Sequence, residues 1–434
     1  MAFYIIEKQN QLEGLGVFGD CFIDFIQYND NFHPKLSKLS LIYIRPLNEH
    51  KGYLLCISHS ESFSLDQQKT TDWIKENTRR LFVLNKKRAL YFFPYFDKLF
   101  DINFIKNIPN DKLPTNNCIE YFYRKYNQLN NINCMIPISK HYENRQNLYD
   151  VVNPIISSFN ENDTIYKFNN EQTTRVFFEI EQNGISVDKN CFIDCYGNDL
   201  KNPEFNISKG KIYSQYNLYT TTGRPSNSYN HINFVALDKN NGERLCYKPT
   251  NDYFIEFDFQ GYHPRLIGEL IKFDFPEGQT TYEYLGKILG VSVEKAKELT
   301  FKQIYGGVWE DYKYKPFFKE VNILIDEIWD DFNYGKQYGT KNRIFRPSNI
   351  DASQTKLFNY IIQSIETSKN VEMIDEILKI LSNKKTKLVL YTYDSFLFDF
   401  DKSDGKELLL ELNTILKYPT TIKQGKNYHN LNKI

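Results

Sequence analysis

Two aspartates, distant in the sequence, stand where carboxylates can be put to chemical use. Asp258 closes the apolar run YFIEFD, and the QGYHPRLIGELI that follows reads as a helix, so this acid sits where a strand gives way to a helix. Asp394 lies at the tip of TKLVLYTYDSFLFDFD, which reads as a β-hairpin turning near Tyr393-Asp394-Ser395. If both strands join one sheet, the two acids can share a pair of divalent ions. Such a site activates an attacking hydroxyl and stabilises the oxygen of a leaving pyrophosphate. Hard oxygen ligands favour magnesium, or manganese, over zinc. Either aspartate alone reads as well as an ordinary strand-end residue. Glu256 shares the strand face of Asp258 and reads as a salt-bridge partner rather than a ligand.

A basic helix between the two acids brings a cation. In EKAKELTFKQIYGG, Lys297, Phe301 and Tyr305 fall at i, i+4 and i+8 and form one stripe. Lysine can neutralise a triphosphate while the aromatics cover a base, and Gly306-Gly307 permits a close backbone approach beyond them. The same spacing also suits an amphipathic helix with two inward aromatics beneath a snorkelling lysine. Lys295 and Lys302 point elsewhere and read as solvated. TTTGRPSNSYNHIN, containing Thr222, Gly223, Arg224 and Asn233, reads as a backbone-contacting element whose arginine reaches a base edge or phosphate; a polar surface loop is the alternative. From residue 201 to 250 there are seven Lys or Arg against three acids. That local excess bears on binding more than the balanced total of 54 basic and 54 acidic residues.

These groups need a scaffold, and 434 residues suffice for two or three domains. With 41% apolar and 16% aromatic residues the chain folds rather than staying disordered. Residues 1–150 read as an α/β domain: GVFGDCFIDFIQY, LSLIYIRPL and GYLLCISHS are strand-like, TTDWIKENTRRLFVLN is helical and RALYFFPYF strand-like. LPTNNCIEYFYRKYNQLNNINCM closes that region without a strong motif. Residues 151–221 form a connector in which EQTTRVFFEIEQ is helical and stopped by Asn183-Gly184, and 189–221 are polar and turn-rich. Residues 222–434 hold the candidate chemistry. There TTYEYLGKILG, SVEKAKELTFKQIYGG and FFKEVNILIDEIWDDFNY read as helices, and ASQTKLFNYIIQSIE and NVEMIDEILKILSN as two more. The class expected is α+β. Seven cysteines without a CxxC pair suggest neither zinc nor disulfides and point to a reducing compartment. The opening MAFYIIEKQNQLEG does not read as a signal peptide, and no apolar run reaches membrane-spanning length. A soluble cytoplasmic protein without membrane partners is expected.

Taken in order, these pieces resemble the polymerase module of family A DNA polymerases, the group of bacterial DNA polymerase I and many phage replicases. TTGRPSNSYNHIN is similar to the family's TGR segment at Thr222, Gly223, Arg224 and Asn233. IEFDFQGYHPRLIGEL resembles motif A at Asp258, Phe259 and Arg265; KELTFKQIYGG resembles motif B at Lys297, Phe301, Tyr305 and Gly306; YTYDSFLFDF resembles motif C at Asp394. The resemblance covers roughly residues 171–400. It implies a right-hand fold with palm and fingers. Asp258, Asp394 and the backbone carbonyl of Phe259 would hold two magnesium ions, Lys297 the triphosphate, and Tyr305 would guard the nascent pair. Arg224 would touch the minor groove of primer–template DNA, and a primer 3′-hydroxyl would attack the α-phosphate of a dNTP. For a phage-encoded protein the compartment would be the host cytoplasm.

Departures from the family pattern sharpen the expectation. The glutamate that excludes a 2′-hydroxyl falls on His263. The first arginine of motif B falls near Val293, so its hold on the triphosphate is either missing or supplied by Lys295. Motif C reads Tyr-Asp-Ser where His-Asp-Glu is usual. Residues 189–221 are too few for the long helical thumb, which implies low processivity unless a partner replaces it. The N-terminal domain occupies the place of the 3′–5′ exonuclease, a ribonuclease H-like fold, yet Asp20 and Asp24 do not form the Asp-x-Glu of its metal cluster. Asp97 lacks its usual neighbouring Asn, and His59 reads as structural. A degenerate domain without proofreading follows. Two other functions remain open: an inactive, DNA-binding replication scaffold, and a primase-like or ribonucleotide-incorporating enzyme, the latter motivated by His263 and Ser395.

Overall fold

The computed structural model describes residues 4–27, 33–59, 65–105, 137–197, 207–229, 232–237, 242–348 and 350–434. Its first sheet has six strands: β1 (Ile5–Ile6), β2 (Cys21–Gln27), β3 (Leu39–Pro46), β4 (Tyr53–Cys56), β5 (Leu81–Val83) and β6 (Leu99–Asp101), in the order β1-β4-β3-β2-β5-β6. β2, β3 and β4 pair antiparallel, and β5 and β6 run parallel to β2. Strand alternation serves two cores at once. Phe22 and Ile26 face a cluster with Tyr149 and Val152 of α2 (Ile138–Ser157), whereas Cys21, Ile23 and Phe25 face Ile74 of α1 (Gln67–Asn77). The helix α2 runs through residue 150.

Two elements of this region differ from the sequence reading. The helix expected over TTDWIKENTRRLFVLN stops at Asn77, and Leu81–Val83, buried throughout, is the strand β5. RALYFFPYF is no strand: it holds a helical turn at Lys86–Ala89 and a 3-10 turn at Phe96–Lys98 on either side of Pro94. A three-residue buried strand carries no periodicity to distinguish it from a helix end. LPTNNCIEYFYRKYNQLNNINCM lies outside the described residues.

The connector contains α3 (Thr174–Asn183), ended by Gly184 at φ 62, and α4 (Lys189–Tyr196). Short strands follow: β7 (Ile185–Val187), β8 (Lys211–Ile212), β9 (Tyr216–Asn217), β10 (Ser226–Tyr229), β11 (Ile232–Asn233) and β12 (Tyr247–Lys248), in the orders β12-β7-β8 and β11-β10-β9. Two buried acids tie the first sheet to this stretch. Asp101 accepts from the backbone N–H groups of Lys86 (2.8 Å) and Asn103 (2.9 Å) and from the Tyr219 hydroxyl (2.7 Å). Glu181 accepts from Lys87 Nζ (2.5 Å), the Tyr91 hydroxyl (3.0 Å) and the backbone N–H of Tyr216 (2.5 Å).

A second, antiparallel sheet of five strands carries the C-terminal half. It comprises β13 (Tyr253–Phe259), β16 (Lys387–Tyr391), β17 (Ser395–Phe400), β18 (Thr420–Gly425) and β19 (Asn432–Lys433), ordered β16-β17-β13-β18-β19; a two-stranded hairpin of β14 (Tyr338–Gly339) and β15 (Ile344–Phe345) stands apart. Ile255, Phe257 and Phe259 face one core with Phe396 and Phe398, which leaves Glu256 and Asp258 on the other face. Helices α5 (Tyr262–Ile271), α6 (Thr281–Leu289), α7 (Val293–Gly306) and α8 (Pro316–Asn333) form a cluster with its own apolar core.

The two helices expected over ASQTKLFNYIIQSIE and NVEMIDEILKILSN are one, α9 (Gln354–Leu381). Its polar middle reads like a break but is buried and bonded. Ser364 and Ser368 donate to Asn342 Oδ1 at 2.6 and 3.0 Å, and Thr367 donates to the Gln363 carbonyl at 2.9 Å. The helix α10 (Glu407–Leu416) packs against α9 before the chain ends in β18 and β19. The core of Phe22 and Tyr43 in the first sheet is continuous with that of Phe257 and Phe396 in the second. Among the described residues no helix is long and apolar enough to cross a membrane, and the five described cysteines are free thiols.

Candidate active site

The junction after Asp258 depends on Gly261. It takes φ +63, and a side chain there would bring its Cβ within 2.7 Å of Thr281 Cβ, so both conformation and space call for glycine. The strand thus ends on Asp258 and Phe259 while α5 departs.

The second acid is held by the turn between β16 and β17. Thr392 N–H donates to the Ser395 carbonyl at 2.9 Å, and Tyr393 takes φ +70, a region that is unfavourable by roughly 1–2 kcal/mol for a residue with a side chain. Asn370 of α9 secures this strained turn. Its Nδ2 donates to the Tyr393 carbonyl at 2.8 Å and to the Tyr391 hydroxyl at 2.7 Å, and its Oδ1 accepts from the Tyr262 hydroxyl at 2.8 Å. Asp258 pairs with Ser395 across the sheet, and Phe259 N–H donates to the Asp394 carbonyl at 2.8 Å. The backbones of the two acids are therefore locked side by side.

Their charges are treated differently. Asp394 keeps an open face to the cleft but sits deep beneath surrounding atoms, so it is poorly solvated despite that exposure. Burial, then the negative charges of Asp258 and Glu366, hold its carboxyl above the ordinary aspartate range. Asp258 has a cation beside it: Lys423 of β18 lies 2.7 Å from its Oδ2 and 2.8 Å from Glu256 Oε2. Burial works against that ammonium, yet the two carboxylates hold Lys423 above the usual lysine value.

Across the cleft stands α7, capped by Ser292, whose hydroxyl accepts from Lys295 N–H at 3.3 Å. Lys295 and Lys302 are engaged outside by Glu298 at 2.8 and 2.5 Å. Lys297, Phe301 and Tyr305 face inward, and the two rings stack with centroids 5.7 Å apart. His263 of α5 meets this stripe, its Nδ1 in contact with the Tyr305 hydroxyl. The third wall is α9, which contributes Asn359, Gln363 and the fully buried Glu366. Arg224 lies against Glu366, with its guanidinium carbon 3.6 Å from the Tyr393 ring centroid.

The TGR segment is fixed from behind. Arg343, fully buried, donates to the carbonyls of Leu218 (3.0 Å), Thr220 (3.1 Å) and Asn342 (2.7 Å). Burial lowers its guanidinium to about 10. Gly223, at φ +76, packs against the Asn342 side chain, leaving no room for a Cβ.

The cleft has a volume of about 900 Å³. Of the residues singled out from sequence, Asp258, Phe259, His263, Lys297, Phe301, Tyr305, Arg224 and Asp394 line it. Thr222 is buried beside it and donates to Gln363 Oε1 at 3.3 Å. Gly306 ends α7 outside the lining, with open space where a side chain would go. Asn233 is exposed, and its Oδ1 accepts from Val235 N–H at 3.2 Å rather than facing the cleft. Sequence reasoning missed Glu366, Asn370, Lys423 and Arg343. The polar run SIETSKN inside an apolar helix was a usable signal for the first two; a lone Lys or Arg in a strand region offered none.

Among the described residues no group of three or more His, Cys, Asp and Glu side chains is disposed to hold a metal. Of the three carboxylates that line the cleft, Glu366 is engaged by Arg224 and His263, which leaves Asp258 and Asp394 beside the Phe259 backbone. Asp394, crowded by two neighbouring negative charges, is a hard-oxygen donor that a divalent cation would relieve, so the set suits magnesium or manganese.

Asp20 and Asp24, which do not make the Asp-x-Glu of an exonuclease, are bound to arginines. Asp20 meets Arg79 at 2.7 Å and Arg80 at 2.6 Å. Burial opposes its ionisation, but these hydrogen bonds bring Asp20 down to about 2. Asp24 lies 3.3 Å from Arg145, Asp97 is exposed, and His59 is buried.

In fold, the chain is similar to the POL domain of Pol1 from M. smegmatis, solved in complex with DNA primer-template and dNTP. The TM-score is 0.69 over 98% of this chain and 99% of that one, at 10% identity, a likeness of fold. No protein-family model and no curated protein matches the sequence.

Proposed function

We propose that this protein is a template-directed DNA polymerase of the family A type. One observation carries the reading: two carboxylates with interlocked backbones face a Lys–Phe–Tyr stripe across a single cleft. The five-stranded sheet would be the palm and α6 to α8 the fingers, within a polymerase domain at 222–434. Residues 151–221 would be a connector with a vestigial thumb. Residues 1–150 would be a ribonuclease H-like domain of the exonuclease type without proofreading, a reading supported by the arginine partners of Asp20 and Asp24.

Asp258, Asp394 and the carbonyl of Phe259 would hold magnesium, or manganese, which when bound supplies the charge that activates a primer 3′-hydroxyl and steadies departing pyrophosphate. Lys297 binds the triphosphate, and Phe301 and Tyr305 cover the base. His263 bounds the sugar. Arg224, with Thr222 buried beside it, meets the primer–template duplex; Asn233, turned away from the cleft, has no part in that contact.

Primer extension with magnesium and dNTPs tests this. Asp394→Asn should lower incorporation by at least roughly 1,000-fold, equivalent to ~4 kcal/mol of transition-state stabilisation. Duplex affinity should hold, because little surface charge is lost. Unchanged incorporation would reject the site. A second reading, an inactive DNA-binding relative, draws on Lys423, whose ammonium covers one oxygen of Asp258. That reading requires duplex binding without extension by the wild type.

A further inference from the structure

Glu366 has no part in the chemistry proposed above, yet it touches both sides of it. Its side chain is fully buried at the middle of α9. Arg224 Nε lies 3.0 Å from Oε2, a close ionic approach without hydrogen-bond alignment, and Arg224 Nη2 donates to Oε1 at 3.4 Å. His263 Nε2 stands 3.2 Å from the same Oε1. Glu366 thus faces a guanidinium on one side and an imidazole on the other, and a carboxylate can only accept hydrogen bonds. A neutral His263 then presents Nε2–H to Glu366, which leaves the lone pair of Nδ1 to accept the Tyr305 hydroxyl proton. The ring is pinned in the cleft wall from both edges. Arg224, on the same acid, is held over Tyr393.

We propose that Glu366 is a positioning residue that fixes the tautomer and orientation of His263, and through the His263–Tyr305 wall sets the choice between deoxyribose and ribose. The sugar clause rests on the polymerase reading; the tautomer clause does not. Released from Glu366, the imidazole can turn out of the wall and admit a 2′-hydroxyl.

Two measurements on the full chain decide it. In ¹⁵N-histidine-labelled wild type, the ring signals of His263, assigned by their loss in His263→Ala, should report the Nε2–H tautomer. That pattern should shift in the isosteric Glu366→Gln. An Nδ1–H tautomer in wild type overturns the proposal. In single-nucleotide insertion, the dATP/ATP ratio of kcat/KM should drop by roughly tenfold or more in both Glu366→Gln and His263→Ala. The double variant should lose no more than the larger single loss, since both act through one ring. A wild-type ratio in Glu366→Gln overturns the sugar clause; a general loss of folding would lower both rates and leave the ratio in place. A wild type that extends no primer overturns the polymerase reading and the sugar clause together, while the tautomer still decides whether Glu366 positions His263.

Discussion

At the scale of single residues, Lys423 distinguishes this cleft. A lysine that spans Glu256 and Asp258 supplies the counter-charge that a divalent ion would otherwise bring. It should therefore compete with metal at Asp258. Lys423→Ala is expected to tighten Mn²⁺ binding by roughly tenfold, about 1.4 kcal/mol, in an electron paramagnetic resonance titration. It should also make the melting temperature more dependent on added metal, because Glu256 and Asp258 then lack their cation. Weaker Mn²⁺ binding would instead assign Lys423 to orienting the carboxylate.

At the scale of elements, the junction of β6 with the connector should make stability depend on pH. Burial raises Asp101 to about 7, against the opposing hydrogen bonds of Lys86 N–H, Tyr219 and Asn103 N–H. Unfolded, it would titrate at about 4. Between those values the folded chain holds a proton that the unfolded chain has released, so raising the pH favours unfolding. The contribution is intact below about 4 and lost once the pH passes about 7. At ~1.4 kcal/mol per pH unit this is on the order of 4 kcal/mol. Urea denaturation should show wild type losing stability relative to Asp101→Asn between pH 5 and 7; parallel curves would refute the assignment. Lys86, lowered to about 8 by burial, adds the opposite slope only above that pH.

The same scale shows what could be read in advance. Strand alternation was legible in FIDFIQ and YFIEFDF because each buries alternate residues against different neighbours. The helical stripe of Lys297, Phe301 and Tyr305 was legible because its spacing follows the helix itself. The unity of α9 was not, because its polar middle is satisfied by Asn342, Arg224 and Tyr391, all distant in sequence. Asn233 shared a motif with Arg224 but not a surface, since the turn that follows directs its side chain to Val235.

At the scale of the whole molecule, the connector carries the next expectation. Among the described residues, 189–221 contain one helix of eight residues and two two-residue strands. These described residues hold no long helical arm to embrace duplex product, so under the proposed polymerase function extension should be distributive. With primer–template in excess, the product ladder should be dominated by additions of one or a few nucleotides per encounter, and a replication partner that lengthens it would be the missing clamp. Long products from single encounters would refute this.

The continuity of the apolar interior from Phe22 and Tyr43 through Tyr149 and Phe177 to Phe257 and Phe396 has a consequence of its own. A nuclease module hinged on a linker can be trimmed away and leave a working synthetic half. Here the amino-terminal layer shares one apolar interior with the sheet that bears Asp258, so cutting it off would leave apolar surface bare to water on the half that remains.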